Sequence, residues 1–211
     1  MDKKFDSFSV PLGLLDYDNP ILYTVTVVTV IRSTYAAMGA PYNRLMLIGA
    51  AVSVFFGLII PTGKVLVGLG ISDFVMPVSL VFSVNAGILV FGLTLLRYVM
   101  GLGNFVWFIL LAAIVALLMA LYRKTKKLNT IAVLTGAAGY LLTYISLITL
   151  SVRTGVVLPI ILYAMAIALF VFLCGVGIKA DLYNPKVHWV IEVSNVVCQL
   201  LVAVATVILF A

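Results

Sequence analysis

Charge is what this chain has least of. Of 211 residues, 13 are Lys or Arg and 7 are Asp or Glu, 9% in all, against 64% hydrophobic residues. A soluble domain carries about 25% charged residues. A mean hydropathy of +1.28 leaves too little polar surface to cover a soluble core, so the composition excludes a water-soluble protein. Histidine is nearly missing: His188 stands alone, which argues against a His-rich metal site and leaves hydrolase chemistry short of bases. His188 and Cys198 are ten residues apart on one apolar stretch, too far for proton transfer. Gly-Xaa-Ser-Xaa-Gly, phosphate-cradling Gly loops and the paired aspartates of a lipid phosphotransferase are absent. An enzyme is therefore the less favoured class, and no cofactor is assignable. Cysteine is scarce too. Cys174 and Cys198 lie inside apolar stretches and read as small buried hydrophobes rather than as a disulfide.

The net charge of +6 does not point to nucleic acid. Basic residues sit singly between apolar runs, apart from Arg123-Lys124-Thr125-Lys126-Lys127, which is how topology-setting charge is distributed. The amino terminus, Met1-Asp2-Lys3-Lys4 followed by mixed polarity, reads as no cleavable signal.

What is present is long apolar sequence. Seven segments, about 20–39, 45–62, 75–98, 104–122, 129–152, 156–178 and 187–210, each approach the roughly 20 residues that an α-helix needs to cross a bilayer. The fold class predicted is an all-α integral membrane protein, a bundle of about seven transmembrane helices. The second segment has the weakest boundary and could continue past Pro61 and Gly63 as a broken helix, so six or eight crossings stay open. All eight Lys, with Arg123, fall before the first span or in the second, fourth and sixth loops, whereas Arg44, Arg97 and Arg153 fall in the odd-numbered loops. Lys- and Arg-rich short loops stay cytoplasmic, which predicts a cytoplasmic amino terminus in a multi-pass protein of a prokaryotic plasma membrane. Asp18-Asn19-Pro20 and Asn184-Pro185 look like helix starts. Residues 1–19 read as an interfacial segment, or a plug against the bundle, and 20–211 as one transmembrane domain.

A faint repeat also runs through the chain. Ala40-Pro41-Tyr42 through Phe56-Gly57 can be laid over Leu158-Pro159-Ile160 through Cys174-Gly175, with Asn85 and Asn195 on matching helices. Two parallel triplets joined by a fourth helix would follow. That plan loosely resembles the three-plus-one-plus-three arrangement of the sugar-transporting PQ-loop relatives, where an Asn on the third helix of each half faces substrate. The Pro-Gln dipeptide of that superfamily is absent here, and the orientation predicted from charge is opposite to theirs.

The last span carries the sharpest signal. His188, Glu192, Asn195, Gln199 and Thr206 fall within roughly 60° of one another at about 100° per residue. Polar side chains are expensive in hydrocarbon, so this face should meet protein or a water-filled cavity. Counting about 1.5 Å per residue from the expected cytoplasmic side, Asn195 comes roughly 12 Å in, Asn85 about 15 Å, Arg32 and Gln199 about 18 Å. These four are expected to meet near the midplane as a substrate site. Arg32 reads either as a snorkelling cation or as a cavity-facing partner for an anion. Glu192, roughly 8 Å in, reads as a helix-entry carboxylate paired with Lys186 or Lys179, or as a proton-coupling group with His188 as relay. Small residues such as Gly49, Ser53, Gly136 and Gly139 read as close helix packing, and the three amides alone could be interhelical glue.

The function expected is a transporter or channel for a small polar solute or ion, with the bilayer and that solute as partners. A homo-oligomer or a membrane-complex partner is the companion expectation. The alternative is a non-transporting subunit whose polar helix face is buried against another protein, and behind it a membrane-embedded enzyme.

Overall fold

The computed structural model describes residues 9–71, 77–179 and 185–211. Those residues form eight α-helices: α1 (Val10–Asp16), α2 (Asp18–Met38), α3 (Tyr42–Gly68), α4 (Val78–Met100), α5 (Asn104–Thr125), α6 (Leu128–Thr154), α7 (Val157–Lys179) and α8 (Pro185–Phe210). With α1 and α2 taken together, seven are long and apolar enough to cross a bilayer. Their apolar composition dictates this form, because in lipid every backbone N–H and C=O must find its partner within the segment.

Two boundaries differ from the sequence expectation, each for a local reason. The second span continues past Pro61, the alternative its sequence left open, but without a break: α3 runs to Gly68, which carries Lys64 into the helix rather than into a loop. A proline removes one hydrogen bond, and packed neighbours in a membrane bundle tolerate that; Pro61 is buried among them. At the other boundary, α1 leads into α2 through Tyr17, itself helical at φ −65° and ψ −26°. Pro20, three residues on, has no N–H for the Asp16 carbonyl and crowds it, so the ladder is interrupted at that point. The described part of the amino-terminal segment thus lies against the bundle. Leu12 is fully buried, and Gly13 sits so close to α3 that an added Cβ would meet the Val65 nitrogen at 2.9 Å. Residues 1–8 of the expected segment are outside the described residues.

Helix neighbours define a closed ring in the order α2, α3, α4, α6, α7, α8 and back to α2. Chain order is kept within α2–α4 and within α6–α8, and α5, between the two triplets, stands outside the ring against α6 and α4. α1 packs on α3, α8 and α2 at one end. Glycine sets the tightest approaches. A Cβ on Gly87 would come 2.6 Å from the Gly49 carbonyl oxygen, and one on Gly139 would come 2.6 Å from the Leu89 nitrogen. Without hydrophobic force between helices in lipid, such backbone proximity supplies the dispersion that holds them.

Inside the ring the filling is aromatic. Tyr23 of α2 meets Phe91 of α4 edge-on at 6.3 Å and Tyr140 of α6 at 6.0 Å, and Phe170 of α7 closes on Tyr140 at 5.6 Å. The end remote from α1 is tied separately. The Arg97 guanidinium lies 3.5 Å over the Tyr42 ring and donates to Asn104 Oδ1 at 2.9 Å, which secures α3, α4 and α5 to one another.

Candidate functional site

The polar face of α8 turns inward. His188, Glu192, Gln199 and Thr206 are all buried, and Asn195 is half-buried on the same face. The physical cause is the one the spacing implied: lipid offers these side chains no partners, and the interior of the bundle does. Thr206 meets the Tyr163 hydroxyl of α7 at 3.0 Å, and Cys198 beside the stripe donates to the Ala166 carbonyl at 3.4 Å.

At the α1 end the stripe meets groups that sequence reasoning had placed elsewhere. Lys64 of α3 projects its Nζ to 2.7 Å from Glu192 Oε1 and 2.8 Å from Asp16 Oδ2. Asn19 at the start of α2 donates from Nδ2 to Asp16 Oδ1 at 3.0 Å and to Glu192 Oε2 at 3.3 Å. His188 Nε2 faces Glu192 Oε1 at 3.2 Å. Four helices thus bring together two carboxylates, an ammonium, an amide and an imidazole, with Lys64 and Glu192 each only 6% exposed. Among the described residues, Asp16, Lys64 and Glu192 are the buried Asp, Glu, Lys and Arg side chains.

Stability alone gives little reason for such a cluster. Replacing a buried ion pair by apolar residues of similar volume is often neutral, or stabilising by about 1–4 kcal/mol. Ionisable groups inside membrane spans are costly and mark solute pathways and proton relays.

One to two turns further into the ring lies a second polar level. Tyr23 follows Asn19 by one turn on α2, and its hydroxyl faces Ser53 of α3. Gln199 follows Glu192 by two turns on α8, and its side chain faces the Tyr140 phenol. Gln199 Oε1 has no hydrogen-bond partner, although the residue is 3% exposed.

Not every expected site residue reaches this place. Arg32 is corrected: it lies on the exposed face of α2, because the buried face runs through Tyr23, Thr26, Val27, Val30 and Thr34 and a residue two past Val30 is turned about 200° away. Asn85 sits on α4, across the ring from α8, and packs its side chain against the bare backbone of Gly136 in α6. Asn195 shares the α8 face with Gln199. The pairing expected for Glu192 also changes, since Lys64 occupies that position; the side chain of Lys179 lies outside the described residues. An open cleft of about 320 Å³ between the starts of α4 and α6, lined by Val78, Lys127, Leu128 and Thr130, includes no residue of the α8 stripe.

Sequence reasoning missed Asp16, Asn19, Lys64 and Tyr23. One signal for Lys64 was available: Val65-Leu66-Val67 resumes the apolar run directly after it, which marks a charge inside a span rather than beyond its end.

Comparison with protein-family models, with curated proteins and with solved structures finds no match to this chain. Fold and composition nevertheless define its class. It is a multi-pass, all-helical membrane protein.

Proposed function

We propose that the protein is a transporter or channel for a small polar solute or ion, and that its pathway follows the inward face of α8 through the six-helix ring. One observation carries this reading: Lys64 lies between Asp16 and Glu192 inside the membrane bundle, directly below the Tyr23 and Gln199 level. The cluster acts as a charged gate at that end. Glu192 and His188 are its proton-coupling pair, and Gln199 with Asn195 contacts the solute beyond it. The chain buries four of the five stripe residues within its own bundle, which supports this reading over one in which a partner subunit covers the stripe.

The α1 end is the cytoplasmic one in this reading. Lys124, Lys126 and Lys127 lie at the α5–α6 turn on that side, and positive charge is retained in the cytoplasm. Lys64 leaves the tally of loop charges without reversing it.

The test is solute or proton flux in proteoliposomes, with Glu192→Gln and Gln199→Leu beside the wild type. A fall of about tenfold or more in either variant is expected, roughly the loss of one charge-assisted contact. Unchanged flux in both would remove the stripe from the pathway.

A further inference from the structure

The geometry points to a substrate class for this site: we propose that it binds a protonated amine, a small solute whose ammonium group takes over the carboxylate contacts that Lys64 now makes. The inference rests on the transport reading above and adds what is carried.

The carboxylates already show which ligand they fit. Glu192 Oε1 accepts a charge-assisted hydrogen bond from an ammonium nitrogen at 2.7 Å, and Asp16 Oδ2 forms an ion pair with the same nitrogen at 2.8 Å. Lys64 is thus a tethered version of the ligand. Exchanging one ammonium for another leaves the charge of the cluster unchanged, so the desolvation problem is not reopened at each cycle. Lys64 sits four residues before the end of α3, and its long stem can carry the displaced head toward the aqueous end.

The level above is equally suited to a donor and to a cation. At about 1.5 Å per residue, Tyr23 stands roughly 6 Å past Asn19, and Gln199 roughly 10 Å past Glu192. Gln199 Oε1 is a buried acceptor with no donor, which an N–H or O–H of the solute would satisfy. Tyr23, Phe91 and Tyr140 surround this level with ring edges and faces, and aromatic faces attract ammonium groups. An anion finds the opposite conditions. Lys64 is held by two carboxylates, and Arg32 is on the exposed face of α2.

The probe is radiolabelled ethanolamine, which is protonated at pH 7. Its binding is measured in mild detergent and its uptake in proteoliposomes, with methylammonium, tetramethylammonium, sodium, urea and acetate as competitors and as alternative flux substrates. Ethanolamine is expected to bind, with competition by methylammonium but not by tetramethylammonium, which has no N–H to offer. Gln199→Leu should weaken binding at least fivefold, and Glu192→Gln should abolish it. Lys64→Met, where it stays folded, should tighten binding by removing the tethered competitor; Gln199→Leu keeps the test open if it does not. Binding without flux would uphold the amine site and overturn the transport reading. Flux of urea, acetate or sodium without ethanolamine binding would overturn the amine class and leave transport standing. Absence of both would overturn both.

Discussion

Lys64 Nζ and Glu192 Oε1 lie 2.7 Å apart although 128 residues separate them in the chain. The contact joins the end of the third helix to the start of the last, and Asp16 completes it from a helix that the sequence did not show. Neither charge could be buried alone in an apolar bundle. Each is therefore present because the other is, and the ring must close for either to be satisfied.

Removing the ammonium should be costly. Lys64→Met leaves Asp16 and Glu192 facing each other at 8% and 6% exposure, and breaking a buried pair from one side loses about 3–5 kcal/mol. The triple variant Asp16→Asn, Lys64→Met, Glu192→Gln carries no such charge and should recover most of that stability. Thermal unfolding in mild detergent reads both. A single variant as stable as wild type would mean the three side chains do not share this site.

Gln199 should separate stability from function. Its Oε1 is buried without a partner, a state that costs about 1–3 kcal/mol. Gln199→Leu is thus expected to unfold no earlier than wild type, and with Tyr140→Phe added it should unfold later, since both polar partners are then gone. Flux through the same Gln199→Leu protein should fall. A variant that loses both together would make Gln199 a structural group.

The α4–α6 contact depends on the missing side chain of Gly139. A Cβ there would lie 2.6 Å from the Leu89 nitrogen and 2.7 Å from the Ile88 carbonyl carbon, and backbone cannot give way as a side-chain tip can. Gly139→Ala should cost about 1–3 kcal/mol through overpacking. Gly57→Ala is the control, because its Cβ would meet Pro20 at an ordinary 3.5 Å. Midpoints of thermal unfolding for the two variants should differ clearly, with Gly57→Ala near wild type.

Much of the fold was legible because lipid constrains backbone more tightly than water does. Span number followed from apolar run length, and the inward face of α8 followed from the spacing of His188, Glu192, Gln199 and Thr206. Lys64 was misplaced because Pro61 and Gly63 beside it resemble a helix end in water and outweigh the apolar Val65-Leu66-Val67 that follows, whereas a membrane bundle lets the helix continue. Asp16 was hidden by a short helix whose burial depends on α3 and α8. Packing partners of this kind leave no periodic trace in a single sequence.

Arg32 shows the limit from the other side, and it supplies a decisive control. In a lipid-facing helix both faces are apolar, so hydrophobic periodicity does not say which way α2 turns; its buried side is set by contact with α3 and α8. That contact leaves Arg32 exposed, where the long stem lets the guanidinium reach the membrane interface. Arg32→Gln should therefore change stability by no more than about 0.5 kcal/mol, as surface substitutions do, and leave flux at the wild-type level. The paired measurement is uptake by Arg32→Gln and Glu192→Gln in the same proteoliposome preparation. A loss in the first that matches the second would return Arg32 to the pathway, and α2 would have to be rotated by about half a turn relative to the ring.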